Sequence, residues 1–148
     1  MDNNLMSAEL VSRLTSRYFT LNVLPDNWLT KVQVEENELI YLIEELRDDP
    51  EYNFEILLDI TAVDYQDHYM VFYNLFSIKN SHQIMVKCRI EHENPSIITI
   101  SDLYPAAEVM ECEVYDLMGI EFLSHPNLRR ILLPEDFEGH PLRKDFKV

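Results

Sequence analysis

Three consecutive stretches of strand-like sequence, residues 54–63, 69–78 and 83–90, constrain the fold of this 148-residue chain more than any other feature. In 83–90 apolar and polar residues alternate, which is typical of a strand with one buried face. Residues 69–78 are apolar at most positions, which predicts a central strand that is covered on both sides. The loop at 64–68 suits a hairpin. These stretches predict a mostly antiparallel sheet.

Helical periodicity lies on both sides of this block. The predicted elements, in chain order, are a helix at 5–17, strands at 18–24 and 28–34 joined by a turn at 25–27, a helix at 35–48, the three strands above, a strand at 96–100 and a helix between Pro105 and Gly119. The sequence therefore predicts an α+β fold. Two N-terminal helices pack on a mostly antiparallel sheet and are followed by a C-terminal helix and an extended tail.

The last predicted helix has one clearly apolar stripe. At 100° per residue this stripe contains Ala106, Ala107, Met110, Val114, Leu117 and Met118, and we expect it to be buried. We expect the opposite side to face solvent; it contains Glu108, Cys112, Tyr115 and Asp116. Acids that surround one helix are usually a solvated surface, so we do not interpret Glu111, Glu113 and Asp116 as an acid–base pair.

The composition excludes several classes of function. Lys and Arg number 12 against 27 Asp and Glu, a net charge of −15, so we expect neither nucleic acid nor direct membrane binding. The two glycines, Gly119 and Gly139, cannot form a glycine-rich phosphate loop. The cysteines and histidines do not have the spacing of zinc or iron–sulfur ligands, although distant residues can converge in a fold. We therefore expect no catalytic, cofactor-binding or metal site.

The C-terminal segment differs in character from the rest of the chain. After Gly119 the periodicity is lost, little could form a core, and basic residues appear, beginning with Arg129 and Arg130 beside an apolar run, 131–133. Such segments usually become ordered on a partner. We predict a compact domain at 1–118 and a partner-docking tail at 119–148. On its own, the tail is expected to be mobile or to lie loosely over the body.

The residues from 111 to 120 and from 125 to 146 closely resemble the 30-kDa subunit of respiratory complex I. The family signature is matched by Glu111, Glu113, Asp116, Leu117, Met118, His125, Arg129, Ile131 and Leu132. The stretch at 58–65 is also similar to the family. The signature has Arg where this chain has Cys112. Since we expect that position to be exposed, we expect Cys112→Arg to be tolerated.

The resemblance implies a non-catalytic peripheral-arm subunit of a proton-translocating NADH:quinone oxidoreductase, an enzyme only as part of that complex. It implies docking onto the 49-kDa-type subunit and other hydrophilic-arm subunits, at the cytoplasmic face of the cell membrane, which it contacts only through the complex. The complex would use NADH, FMN, iron–sulfur clusters and quinone, with none of them held by this chain. The implied partner-binding residues are Glu111, Glu113, Asp116, His125, Arg129, Arg130, Ile131, Leu132, Leu133, Pro134, His140, Pro141, Arg143 and Lys144.

Two alternatives stay open at the level of the sequence. The first is the equivalent subunit of an energy-converting membrane-bound hydrogenase or a formate hydrogenlyase, because these complexes carry a homologous domain. The second is a free-standing small enzyme that uses Asp, Glu and His residues.

Overall fold

The computed structural model describes residues 8–9, 12–16, 22–25 and 29–148. Residues 8–9 and 12–16 are helical, and Leu14 is fully buried in the core. The prediction of a helix at 5–17 agrees with these residues, and the remainder of it lies outside the described part of the chain. Residues 18–21 of the predicted strand and most of the predicted turn at 25–27 also lie outside it.

The described elements that follow agree closely with the predicted ones. The strands are β1 (Asn22–Pro25), β2 (Leu29–Val34), β3 (Ile56–Asp64), β4 (His68–Ser77), β5 (His82–Glu91), β6 (Ser96–Ile98) and β7 (Glu121–Leu123), and the helices are α1 (Glu36–Asp48) and α2 (Ala107–Met118). The predicted α+β class and the mostly antiparallel sheet are confirmed. The short strand β7 is an element that the sequence pattern does not predict.

Five strands form one sheet in the order β1-β2-β5-β4-β3. Only β2 and β5 run parallel among these neighbours; the other pairs are antiparallel. On one face of the sheet Tyr73 of β4 lies between Ile60 of β3 and Val86 of β5, and all three are buried. Helix α1 covers this face through four fully buried residues, Leu39, Leu42, Ile43 and Leu46. Helix α2 packs on β3, so the core lies between the sheet and the helices.

A bulge in β3 changes which of its residues face the core. The pairing with β4 skips a residue between Leu57 and Asp59, which leaves Leu58 as the extra residue. Leu57 is consequently buried and Leu58 is 44% exposed. A strict alternation predicts the reverse, with Leu58 inside. The bulge cannot be read from the pattern because both residues are leucine.

Part of the predicted tail belongs to the folded body. Strand β7 pairs in parallel with β6, and Ile120 and Phe122 are buried in the core. The expectation that residues beyond Gly119 add little to the core is therefore wrong for 120–123. No helix in the described residues is long and apolar enough to cross a bilayer.

Candidate functional site

Helix α2 buries the side that the sequence predicts to face solvent. Glu111 and Asp116 are fully buried and Cys112 is 3% exposed, whereas Ala106, just before the helix, is exposed. Val114 and Met118 of the predicted apolar stripe are buried as expected. The polar side is covered because the tail packs against it, a tertiary contact that helical periodicity cannot reveal. The interpretation of these acids as a solvated surface is wrong for Glu111 and Asp116.

The carboxylate of Asp116 holds the first part of the tail. Its Oδ2 atom accepts three consecutive backbone hydrogen bonds, from the N–H groups of Ile131 (3.1 Å), Leu132 (2.7 Å) and Leu133 (3.0 Å). Its Oδ1 atom accepts a hydrogen bond of 2.8 Å from the guanidinium of Arg130. We call this arrangement the Asp116 anchor. It fixes the backbone of 131–133 to the middle of the fold.

The anchor also determines the charge state of Asp116. Burial raises the pKa of this carboxyl, but the Arg130 guanidinium and the three backbone N–H groups outweigh burial and hold the pKa below its ordinary value. Arg130 also bonds to the backbone oxygens of Asp116 and Gly139, and its guanidinium lies over the ring of Phe137. Asp116 is therefore an ionised buried group whose charge is compensated by the tail.

Glu111 forms a second buried contact, between α2 and the end of β6. Its Oε1 atom accepts the Ile100 N–H at 2.8 Å, and the Thr99 hydroxyl donates to Oε2. Burial raises the pKa of Glu111, and these bonds together with the nearby His125 only partly offset it. The carboxyl thus serves to satisfy backbone and hydroxyl donors inside the protein.

The His125 side chain is completely buried next to Glu111 and Cys112. Its Nδ1 atom accepts the Asn127 N–H at 3.0 Å, so the proton is on Nε2, which donates to the Glu108 backbone oxygen at 2.9 Å. This arrangement assigns a neutral ring that connects the 125–127 turn to α2. The thiol of Cys112 donates to the Asn127 oxygen at 3.5 Å. The predicted exposure of Cys112, on which the expected tolerance of arginine rests, is wrong.

The end of the tail is held at the C-terminus of α2. Gly119 ends the helix with a left-handed φ of 74°, and an added Cβ would collide with the guanidinium of Arg143. Arg143 donates to the Met118 and Gly119 oxygens, and His140 Nδ1 donates to the Asp116 backbone oxygen. These bonds replace the missing helical partners of the last carbonyls.

Asp64, at the end of β3, is a residue of the site that sequence reasoning missed. It is 4% exposed, and its carboxylate accepts the N–H groups of Gln66 and Lys144 and lies 3.3 Å from the ring of His92. Burial raises the pKa of Asp64, but the two N–H groups and His92 hold it below the ordinary value. An acid that ends an apolar strand was the available signal, and it lies inside the stretch at 58–65.

The structure divides the predicted partner-binding residues into two groups. The side chains of Glu111, Asp116, His125, Arg130, His140 and Arg143 bond within the chain. By contrast Arg129, Glu113, Pro134 and Lys144 are exposed, Leu132 is 60% exposed, and Ile131, Leu133 and Pro141 are half-buried. The tail is thus held to the body by specific bonds and does not lie loosely over it. The expectation that Arg130 and Arg143 wait for partner carboxylates is wrong, since their donors are already engaged.

An open pocket of about 530 Å³ lies beside the tail, and its lining includes His92, Tyr115, Glu121 and Arg143. Within the described residues, no three His, Cys, Asp or Glu side chains are grouped so that they could hold a metal ion.

A mixed five-stranded sheet with helices on one face, closed by an anchored C-terminal segment, defines this chain as an α+β domain with a fastened tail. Residues 32–148 match the family model described as respiratory-chain NADH dehydrogenase, 30 Kd subunit. The chain belongs to this family, and the resemblance seen in the sequence is confirmed.

Relatives from two bacteria agree with this assignment, and both are the C-type subunit of NADH-quinone oxidoreductase. The relative from Moorella thermoacetica is 43% identical over 114 residues, 76% of each chain. The relative from Citrifermentans bemidjiense is 46% identical over 120 residues, 79% of this chain and 73% of that one.

Two solved structures share the fold. A chain of the membrane-bound sulfane sulfur reductase, an archaeal respiratory membrane complex, superposes with a TM-score of 0.83 at 25% identity, covering 95% of this chain and 85% of that one. The Nqo5 trypsin-resistant fragment superposes with a TM-score of 0.72 at 22% identity, covering 83% of this chain and 99% of the fragment.

Proposed function

We propose that the chain is a non-catalytic subunit in the peripheral arm of a proton-translocating NADH:quinone oxidoreductase. It docks onto the 49-kDa-type subunit and so supports electron transfer from NADH to quinone. The NADH, FMN, iron–sulfur and quinone sites belong to other subunits, and the chain lies at the cytoplasmic face of the membrane through the complex. Membership of the 30-kDa subunit family and the names of the relatives support this proposal.

The single observation that carries the docking role is the way the Asp116 anchor presents the tail. Three consecutive N–H groups of 131–133 are fixed on one carboxylate, yet Leu132 is 60% exposed. An apolar side chain on a rigid backbone loses little entropy when a partner covers it, which favours its use as an anchor. Arg129, exposed and without an ion pair among the described residues, lies beside it.

The buried carboxylates support the non-catalytic part of the proposal. Glu111 and Asp116 both use their oxygens to accept bonds from the chain's own backbone. A group of this kind has a structural task, because removing it leaves buried donors without acceptors.

A binding measurement with matched variants tests the docking role. Leu132→Asp is compared with Ile78→Asp, which changes an equally exposed apolar residue (63%) in the turn between β4 and β5. We expect Leu132→Asp to weaken binding to the purified 49-kDa-type subunit at least tenfold, equivalent to about 1.4 kcal/mol, and Ile78→Asp to bind as the wild type does. Equal affinities for wild type and Leu132→Asp would remove the tail as the docking element. Circular dichroism melts confirm that both variants stay folded.

A second candidate is the equivalent subunit of another energy-converting membrane complex, such as a membrane-bound hydrogenase or a formate hydrogenlyase. The superposition on a chain of the membrane-bound sulfane sulfur reductase favours keeping it. In this case the docking geometry would be the same, and only the electron donor of the complex would differ. The proteins that accompany the chain decide between the two.

A further inference from the structure

The five-stranded sheet has a second face, opposite the helices, and this face also carries apolar side chains. Met70, Phe72 and Phe76 of β4 alternate with the buried core residues of that strand, so they point away from the helices. Val63 of β3 lies opposite Met70 in the register. None of these residues belongs to the core cluster, and no described helix or strand packs over them.

The strand register defines how this surface is laid out. Two rows cross the sheet from β2 to β3, and adjacent members of a row are directly opposite each other, about 5 Å apart. The rows are Lys31–Met85–Asn74–Asp59 and Gln33–Lys87–Phe72–Thr61. We call the surface formed by Lys31, Val63, Met70, Phe72, Phe76, Met85, Lys87 and Arg89 the open sheet face. It has an apolar centre and a basic margin.

The charges of the open sheet face are not balanced within the described chain. It holds three of the 12 Lys and Arg residues of a protein with 27 acids. No carboxylate within the described residues pairs with Lys31 or Lys87, and Arg89 reaches Asp67 only at 4.0 Å. The acid in the same row, Asp59, is held by the Asn74 amide at 2.6 Å. Carboxylates that complement this margin must come from elsewhere.

The pattern of β4 leads to the same conclusion. A strand that is apolar on both faces is typical of a sheet that is covered on both sides. Here one face is covered by the helices, and on the other Phe72 and Phe76 keep part of their surface exposed. Contiguous apolar surface with a polar rim is characteristic of a protein interface.

We propose that the open sheet face binds an amphipathic segment of another subunit of the complex. Apolar side chains of that segment contact Phe72, Phe76 and Met85, and its Asp or Glu side chains pair with Lys31, Lys87 and Arg89. The inference rests on the proposed function and extends it. The tail contacts the helix side of the sheet, at Asp64 and α2, so the chain holds two neighbours on opposite faces.

Zero-length carbodiimide cross-linking of the complex purified from native membranes tests the inference. This reagent joins a lysine amine directly to a carboxylate in contact with it. We expect peptides in which Lys31 or Lys87 is linked to an Asp or Glu of a different subunit. Lys79, in the turn between β4 and β5 and away from the open sheet face, is the internal control and should not form the same link. Lys87→Glu should abolish the Lys87 link and reduce recovery of the neighbouring protein.

Thiol labelling gives a second measurement. Cys88 and Cys112 are buried, so a cysteine introduced as Phe72→Cys is the reactive site, with Ile78→Cys as the control. We expect maleimide to label Phe72→Cys at least tenfold more slowly in the complex than in the isolated chain, and Ile78→Cys at similar rates in both.

Each contrary outcome has a distinct meaning. Links from Lys31 and Lys87 to acids of this chain, or to a second copy of it, overturn the inference, as do unlinked lysines and unchanged labelling in a complex that contains the chain. A complex that lacks the chain altogether overturns the proposed function, and the inference with it.

Discussion

Replacing Asp116 by alanine tests the physical basis of the anchored tail. The change removes the acceptor of one guanidinium bond and three backbone N–H bonds. It leaves the Arg130 charge, whose side chain is 12% exposed, without its carboxylate. Breaking a buried charge pair from one side costs about 3–5 kcal/mol, and water at the partly exposed tail offsets some of this. We expect a loss of about 3 kcal/mol, which lowers Tm by about 6–12 °C at this chain length.

The assay is thermal and urea denaturation of the purified chain, with Glu113→Ala as the matched control. Glu113 is an exposed acid on the same helix, so its loss should change the free energy of unfolding by less than about 0.5 kcal/mol. A Tm for Asp116→Ala within about 2 °C of the wild type would refute the reasoning. Such a result would mean that the tail bonds contribute nothing net to folding.

The pH dependence of Asp116→Asn tests the charge state of the same group. The folded pKa of Asp116 lies below its ordinary value of 3.8, so its contribution is fully present above that value. The contribution is lost as pH falls through the lower, folded pKa. The stability difference between wild type and Asp116→Asn should therefore be constant between pH 7 and 5 and shrink below about pH 4. A difference that persists unchanged at pH 2 would contradict the ionised anchor.

Three further changes have directions that the structure fixes. Cys112→Arg should destabilise the chain by several degrees in Tm, since the thiol is buried against Asn127, and Cys112→Ser should change it much less. Gly119→Ala should cost roughly 1–3 kcal/mol in the same melts, because φ is 74° and the new Cβ collides with Arg143. For Glu111, whose pKa is raised by burial, the stability of wild type relative to Glu111→Gln should rise as pH falls through the folded pKa toward 4.5; urea titrations that show a fall would contradict it.

Strand and helix positions were predictable because local periodicity encodes them. Residues Ile84, Val86, Cys88 and Ile90 alternate as the sequence indicated and are all buried. The α1 face was equally predictable, since four apolar residues at helical spacing form a single stripe. In both cases the residue type alone decides which side is buried.

The faces of α2 were not predictable in this way. Asp116 and Glu111 are buried because backbone N–H groups, of 131–133 and of Ile100, need acceptors there. Those donors lie 11 to 17 residues away in sequence. A helical wheel assigns an acid to solvent, because it contains no information about distant donors that offset the burial of the charge. The bulge at Leu58 and the three-residue strand β7 were missed for a related reason, since tertiary pairing defines them.

Co-purification from native membranes tests most directly whether the chain is a docking subunit of an NADH:quinone oxidoreductase. The chain carries an affinity tag at a position that preserves its stability, the membranes are solubilised in mild detergent, and mass spectrometry identifies every protein that elutes with it. We expect a 49-kDa-type subunit and the NADH-binding flavoprotein in constant ratio to the chain, together with NADH-dependent quinone reduction. Elution of the chain without a 49-kDa-type subunit, or with a nickel-ligating large subunit and no NADH-binding protein, would contradict this role.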